Sequence, residues 1–384
     1  MSNVVIRELE PRDDLGFRHI RAMVYRNGDP VKPEDTILPK DCIGFVGELN
    51  GEIVSAATVI DMTASKGVAA LRCAGIAAVG VLPERRRAGV GGELISKMTP
   101  LLREQGFSMA SLYPFRAVFY GKYGYAHCGK RYQISCPAER LPRFDTALEP
   151  RQLPPSEWRE IVPCYEQFAS RYAGMNLRTE VQWTRALGRD NPFQIYVVGD
   201  PVEAYAVLRL DSEFWTGQTV KEFVWSDGRG YRSILTLLRS LGINKTKMTW
   251  NEPGDSPFYS FYMDQGVDVS VDRSIMYRIL DVPAALSAVV REESGEFCFR
   301  VNDRDEPEND GVWQVCFGPD GTRVERGGDP DFEIGIGALT QAFLGEPSFE
   351  RVLSLGFPKV LLASGVEAAL RFFAPAHVHC MDFF

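Results

Sequence analysis

At about 100 to 200 residues per domain, a chain of 384 residues is too long for one compact core and divides into two or three domains. Its 45% hydrophobic, 24% charged and 11% aromatic residues exclude a disordered, collagen-like or coiled-coil chain. A formal net charge of -8, with Lys and Arg scattered, argues against a nucleic-acid backbone or an anionic membrane as the main partner and favours a cationic small molecule.

No run approaches the roughly 20 apolar residues of a membrane span. The opening Met1-Ser-Asn-Val-Val-Ile-Arg-Glu8 has no signal-peptide layout, so cytoplasmic residence is the expectation. Eight cysteines without a C-x-x-C pair read as small buried apolar residues. His377 and His379 share one face of a strand-like segment while Cys380 points away, which is too few convergent ligands for zinc. No metal is expected.

In chain order, Phe17, Ile20, Met23 and Val24 recur at helical spacing after Asp13 and Asp14. Two strand patterns, 43–49 and 53–60, flank Asn50-Gly51, a strong hairpin signal. A strand over 71–82 ends at Pro83 and a basic, glycine-rich turn, 84–92. Leu94, Ile95, Met98, Leu101 and Leu102 then form one helical face that stops at Gly106. A strand over 108–113 leads to a short aromatic helix around 118–123. A proline-rich stretch, 141–155, marks the first domain boundary. Beyond it, Trp158, Ile161, Val162, Tyr165 and Phe168 make an apolar stripe interrupted by Pro163. Strands over 194–198, 204–210 and 221–225, a helix with Ile234, Leu235, Leu238 and Leu241, and a strand over 247–250 repeat the first order, as in a divergent duplication. The last hundred residues begin as an antiparallel meander, with Phe297, Phe299 and Val301 alternating and then 312–317. They turn helical through Val366, Ala369, Leu370 and Phe373.

The segment Val79-Gly-Val-Leu-Pro83-Glu-Arg-Arg86-Arg87-Ala-Gly89-Val90-Gly91-Gly92 carries the visible chemistry. A strand, a basic glycine turn and a helix start present unpaired backbone N–H groups at a positive helix end, which suits a pyrophosphate. Arg86 and Arg87 add charge, and Gly89 and Gly91 permit close approach of the backbone. Neither G-x-x-x-x-G-K-[ST] nor G-x-G-x-x-G is present.

The spacing Pro83-x-x-Arg86-x-x-Gly89-x-Gly91 after a Val-x-Val strand resembles the acetyl-coenzyme A motif of the GCN5-related N-acetyltransferases (GNAT). The segment Phe119-Tyr120-Gly-Lys-Tyr123-Gly124-Tyr125 is similar to a second motif of that superfamily. The resemblance implies that Val79, Val81, Arg86, Arg87, Gly89, Val90 and Gly91 bind acetyl-CoA, the first two through backbone groups on a splayed strand. It also implies that the Val79 N–H stabilises the oxyanion and that Tyr120 protonates the leaving thiolate. Many such enzymes carry a glutamate base on the central strand, but 73–79 has no carboxylate.

The wider pattern resembles the Enhanced intracellular survival (Eis) family: an acetyltransferase domain, a degenerate second copy and a sterol-carrier-protein-like domain. Ser111-Leu-Tyr-Pro-Phe115 and Arg273-Ser-Ile-Met-Tyr-Arg278-Ile-Leu-Asp281 carry that likeness. The implied fold class is α/β with α+β character: two GNAT-type domains, each a mixed sheet flanked by helices, at 1–150 and 151–282, then a sterol-carrier-like α+β domain at 283–384. In the family the base is the terminal α-carboxylate, here on Phe384, and Asp382 beside it is a plausible ammonium contact. The second copy has only Ser226-Asp-Gly228-Arg229-Gly230 where the motif would be, and is not expected to hold coenzyme. The implied activity is direct acetyl transfer to primary amines such as aminoglycosides, polyamines or lysine side chains, by a homo-hexamer. The alternative is a non-catalytic protein that holds coenzyme A or a lipid.

Overall fold

The computed structural model describes residues 4–32, 34–35, 38–145, 148–188, 193–209, 215–272 and 275–384. Leu210, expected at a strand end, and Arg273 and Ser274, in the phrase matched to the Eis family, lie outside the described residues.

Three sheets organise the chain. The first contains β1 (Val5–Glu8), β2 (Cys42–Leu49), β3 (Glu52–Lys66), β4 (Ala69–Val81), β5 (Met109–Leu112) and β6 (Ala126–His127). The second contains β7 (Arg131–Cys136), β8 (Pro150–Leu153), β9 (Gln194–Val198), β10 (Ala204–Leu208), β11 (Gly217–Trp225), β12 (Lys247–Pro253) and β13 (Asp268–Val271). The next strand, β14 (Met276–Ile279), returns to the first sheet, whose order is β1-β2-β3-β4-β5-β14-β6; the second sheet runs β13-β7-β12-β11-β10-β9-β8. Strands β15 (Gly295–Asn302), β16 (Gly311–Gly318), β17 (Gly321–Arg326), β18 (Phe332–Gly335) and β19 (Lys359–Val360) form the third, ordered β17-β16-β15-β18-β19. Only part of it is the expected meander, because β18 joins β15 in parallel.

Helices α1 (Asp14–Tyr25), α2 (Val90–Glu104) and α3 (Ala117–Gly121) serve the first sheet. The second has α4 (Val162–Ala169), α5 (Glu180–Leu187), α6 (Gly228–Leu241) and α7 (Pro257–Phe261), and α8 (Val282–Ser287), α9 (Ile336–Leu344), α10 (Phe349–Ser354) and α11 (Ala363–Phe372) belong to the last stretch.

The local reasons are legible. Asn50 and Gly51 both have positive φ, 52° and 83°, so a two-residue turn of the right twist joins β2 to β3. Helix α2 buries Leu94, Ile95, Met98 and Leu102, and Gly106 at φ 84° ends it. Pro163 does not interrupt a helix: it stands in the first turn of α4, where a missing N–H costs nothing, and Trp158 belongs to the preceding 3-10 turn.

The boundary expected near residue 150 is crossed by two exchanged strands. Strand β7, from the end of the first segment, lies between β13 and β12 of the second sheet, and β14, from the end of the second segment, lies between β5 and β6 of the first. Each sheet therefore owes an internal strand to the other stretch of chain. The last domain is bound to the first sheet through the fully buried Arg278. Its guanidinium donates to Asp303 at 2.7 and 2.9 Å and to the Tyr123 carbonyl at 2.5 Å. Phe297, Phe299 and Phe332 stack in the third core, with Phe349, Phe372 and Phe373 packed around them.

Candidate active site

Strand β4 is the axis of the site. It pairs with β5 in parallel only from Cys73↔Met109 to Gly75↔Ser111, although it continues six residues further. Facing β3, its register slips between Ala56 and Thr58, and Ala78 takes φ 50°. Such a bulge re-aims the backbone beyond it and leaves ladder groups unpaired. Two cavities open at this strand, with Val79 and Val81 on one and Ala77 on the other.

The first cavity, about 660 Å³, is walled by Val79, Val81, Arg86, Arg87, Gly89, Val90 and Gly91 together. All seven residues expected at the coenzyme therefore meet in one place. Arg87 at φ 64° and Gly89 at φ 86° curl the turn, and α2 starts on Gly89 without a side-chain cap, so its leading N–H groups face the cavity. A Cβ at Gly91 would sit 3.3 Å from Val81, and one at Gly92 would strike the Tyr123 hydroxyl. Arg85 is held by Glu52 at 2.8 Å, whereas Arg86 and Arg87 have no carboxylate partner among the described residues.

Tyr120 packs its ring behind two aromatics of the wall. Its ring is 5.0 Å from that of Phe119 and 5.5 Å from that of Phe115, both of which face the cavity. Burial, with Tyr25 as a second cause, pushes its phenol upward in pKa. Its hydroxyl has no hydrogen-bond partner among the described residues. Tyr25, which the sequence pattern did not single out, donates its hydroxyl to the Val79 carbonyl at 2.7 Å and lines the same cavity.

The second cavity, about 690 Å³, lies between the first two sheets and contains the chain's last residues. The Phe384 ring packs edge-on to Tyr113 at 5.6 Å and comes within 3.4 Å of where a Cβ on Gly75 would be. Asp382 also lines it, but its carboxylate is taken: both oxygens accept from the Arg178 Nε, at 2.9 and 3.2 Å. The buried Arg178 also donates to Glu222 at 2.8 and 3.1 Å. Burial raises the Asp382 pKa, and Arg178 opposes it. The pair with Arg178 anchors the tail at the cavity wall. Arg178 carried no motif; Thr179-x-x-Gln182, a reciprocal capping box that opens α5, was the signal that could have found this region.

In the second domain the equivalent turn is sealed. Asp227 caps α6 by accepting from the N–H groups of Arg229 and Gly230, and the Arg229 guanidinium is held by Glu203. The helix end that would receive phosphate is already occupied by a carboxylate. His377 and His379 do not share an environment: His377 is exposed, while His379 is buried and its pKa is pushed down to about 3 by desolvation.

Residues 6–128 and 174–279 each match an acetyltransferase (GNAT) domain model, and residues 282–381 match a sterol carrier protein domain. The chain is therefore an acyltransferase with two GNAT domains followed by a sterol-carrier-like domain. It is homologous to the Eis N-acetyltransferases: it is 25% identical over 285 residues to N-acetyltransferase Eis of Mycobacterium bovis and of Mycobacterium tuberculosis, a match covering 68% of this chain and 70% of each relative. In fold it is similar to a GCN5-related N-acetyltransferase from Anabaena variabilis (TM-score 0.87, 19% identity, all of both chains). It is likewise similar to Eis1 from Mycobacterium abscessus (TM-score 0.78, 21% identity, 99% of this chain and 100% of the other). No helix among the described residues is long and apolar enough to cross a membrane.

Proposed function

We propose that the chain transfers an acetyl group directly from acetyl-CoA to a primary amine at the opened edge of β4. The observation that carries this reading is the position of that edge between two cavities, one with a basic glycine turn and one containing Phe384.

GNAT enzymes use acetyl-CoA, and the first cavity fits it: the turn N–H groups with Arg86 and Arg87 would hold the pyrophosphate, and Val79 and Val81 the pantetheine arm. The Phe384 α-carboxylate takes the proton of the incoming ammonium. The amine nitrogen attacks the thioester carbon, and the Val79 N–H stabilises the oxyanion as it forms. The C–S bond then breaks, Tyr120 gives its proton to the departing sulfur, and the second proton shed by the nitrogen as the amide forms restores the phenol. Burial keeps that phenol protonated, and its hydroxyl has no competing partner among the described residues.

The test is thiol release from acetyl-CoA with a panel of polyamines, aminoglycosides and lysine peptides. Tyr120→Phe should lower kcat by about 100-fold or more while leaving acetyl-CoA affinity unchanged. Unchanged turnover in that variant would remove Tyr120 from the mechanism. Homo-hexamer formation belongs to the same reading and is checked by light scattering of the purified chain.

A further inference from the structure

The second cavity's charges are arranged against a polycation. Five cationic side chains line it, and three side-chain carboxylates. Each carboxylate is already engaged: Glu222 and Asp382 by Arg178, and Asp272 by Arg131 at 2.5 Å. The lining Arg185 is held in turn by Asp41, just behind the wall, at 2.8 and 3.0 Å. Apart from the Phe384 α-carboxylate at the reacting end, an ammonium entering here would have to displace an arginine to gain a counterion.

Lys221 is different. It is a solvent-reachable wall residue of the cavity, and it makes no ion pair among the described residues. Its Nζ donates to the Ala186 carbonyl and lies 4.2 Å from the Phe193 ring centroid, which leaves two of three N–H donors for a ligand. Across from it stands Asn251, whose Oδ1 is buried, lines the same cavity and has no hydrogen-bond partner among the described residues.

The backbone explains the pairing. Strands β11 and β12 run parallel and pair only from Gly217↔Lys247 to Thr219↔Thr249. Lys221 and Asn251 each lie two residues beyond that last rung, where the two strands no longer pair, and both line the cavity that Ala77 of β4 also lines. The degenerate domain has lost its anion seat at α6 and retains a parted pair of strands, now bearing a cation on one lip and an unpartnered acceptor on the other.

We propose that the acceptor is a primary amine carrying a carboxylate at its far end, held by Lys221, with Asn251 accepting an N–H or O–H beside that carboxylate. This rests on the acetyl-transfer reading and narrows its substrate class. The cavity's volume admits a molecule well above the size of an amino acid.

The test uses the full chain and matched amines: 6-aminohexanoate, its methyl ester and 1,5-diaminopentane, and Nα-acetyl-lysine with its methyl ester. Amine-dependent thiol release is followed for each. The free acids should exceed their esters and the diamine at least tenfold in kcat/KM. Lys221→Gln should collapse the acid-to-ester ratio towards one through KM, and Lys221→Arg should restore it. Preference for the diamine or the esters, or an acid-to-ester ratio untouched by Lys221→Gln, would overturn the proposal. Thiol release with none of these amines but with a polycation would overturn it while sparing acetyl transfer. Release with no amine at all, despite acetyl-CoA binding, would overturn acetyl transfer and this inference together.

Discussion

Lys66 offers a quantitative test of how the first and third domains are joined. It ends β3, is buried, donates its Nζ to the Leu344 carbonyl of α9 at 3.0 Å, and lies 5.8 Å from the Phe343 ring centroid. Desolvation, followed by repulsion from Arg291, lowers its pKa from 10.5 to about 7, against a smaller pull from Cys128. At 1.36 kcal/mol per unit, holding this ammonium in the fold costs about 5 kcal/mol. Below pH 7 the group is charged in both folded and unfolded chains, and the whole cost is present. Between pH 7 and 10.5 the unfolded chain binds more protons than the folded one, so stability rises with pH, by about 2 to 3 kcal/mol from pH 7 to 9. Lys66→Met keeps the length and removes the charge, at the loss of one hydrogen bond. Urea denaturation of both proteins from pH 6 to 9 should find the variant more stable by a few kcal/mol at pH 7, with the difference shrinking as pH rises. A difference independent of pH, or a less stable variant at pH 7, would refute the reasoning.

Two further outcomes concern the site. Asp382→Ala removes two contacts to a buried guanidinium that keeps Glu222, a loss of about 1.5 to 3 kcal/mol confined to the tail. Amine turnover should fall while acetyl-CoA affinity, measured by calorimetry, stays constant; a parallel loss of coenzyme binding would contradict the separation of the two cavities. Replacing Arg86 and Arg87 together by Ala should weaken acetyl-CoA binding by about tenfold or more and make the remaining affinity less salt-sensitive, which a titration at two ionic strengths checks.

Much of this was written locally. The turn from Pro83 to Gly92, the Asn50-Gly51 hairpin and the α2 stripe are short-range patterns whose chemistry depends on neighbours in sequence. The aromatic run into Phe384 signalled docking because an apolar terminus gains by burial. The strand exchange was not legible: β7 and β14 are ordinary short strands, and nothing within six residues records which of two similar sheets will accept them. The same holds for Arg178, Lys221 and Asn251, which become a site only when two parted sheets face each other. The ion pair of Asp382 was hidden for a related reason. From sequence Asp382 is a polar residue at a terminus, and its partner lies 204 positions away.

The reciprocal strands also bear on how the protein is made. As a ribosome delivers the chain, β5 is complete at residue 112, yet its neighbour β14 begins at 276. At about 5 to 20 residues per second, roughly 8 to 30 s pass with the edge of β5 open to strangers. During that interval β7 waits as well, since β12 and β13 have not emerged. The two acetyltransferase-like domains are therefore born incomplete and finish together, and a break in translation anywhere between them leaves two unfinished sheets in place of one folded domain.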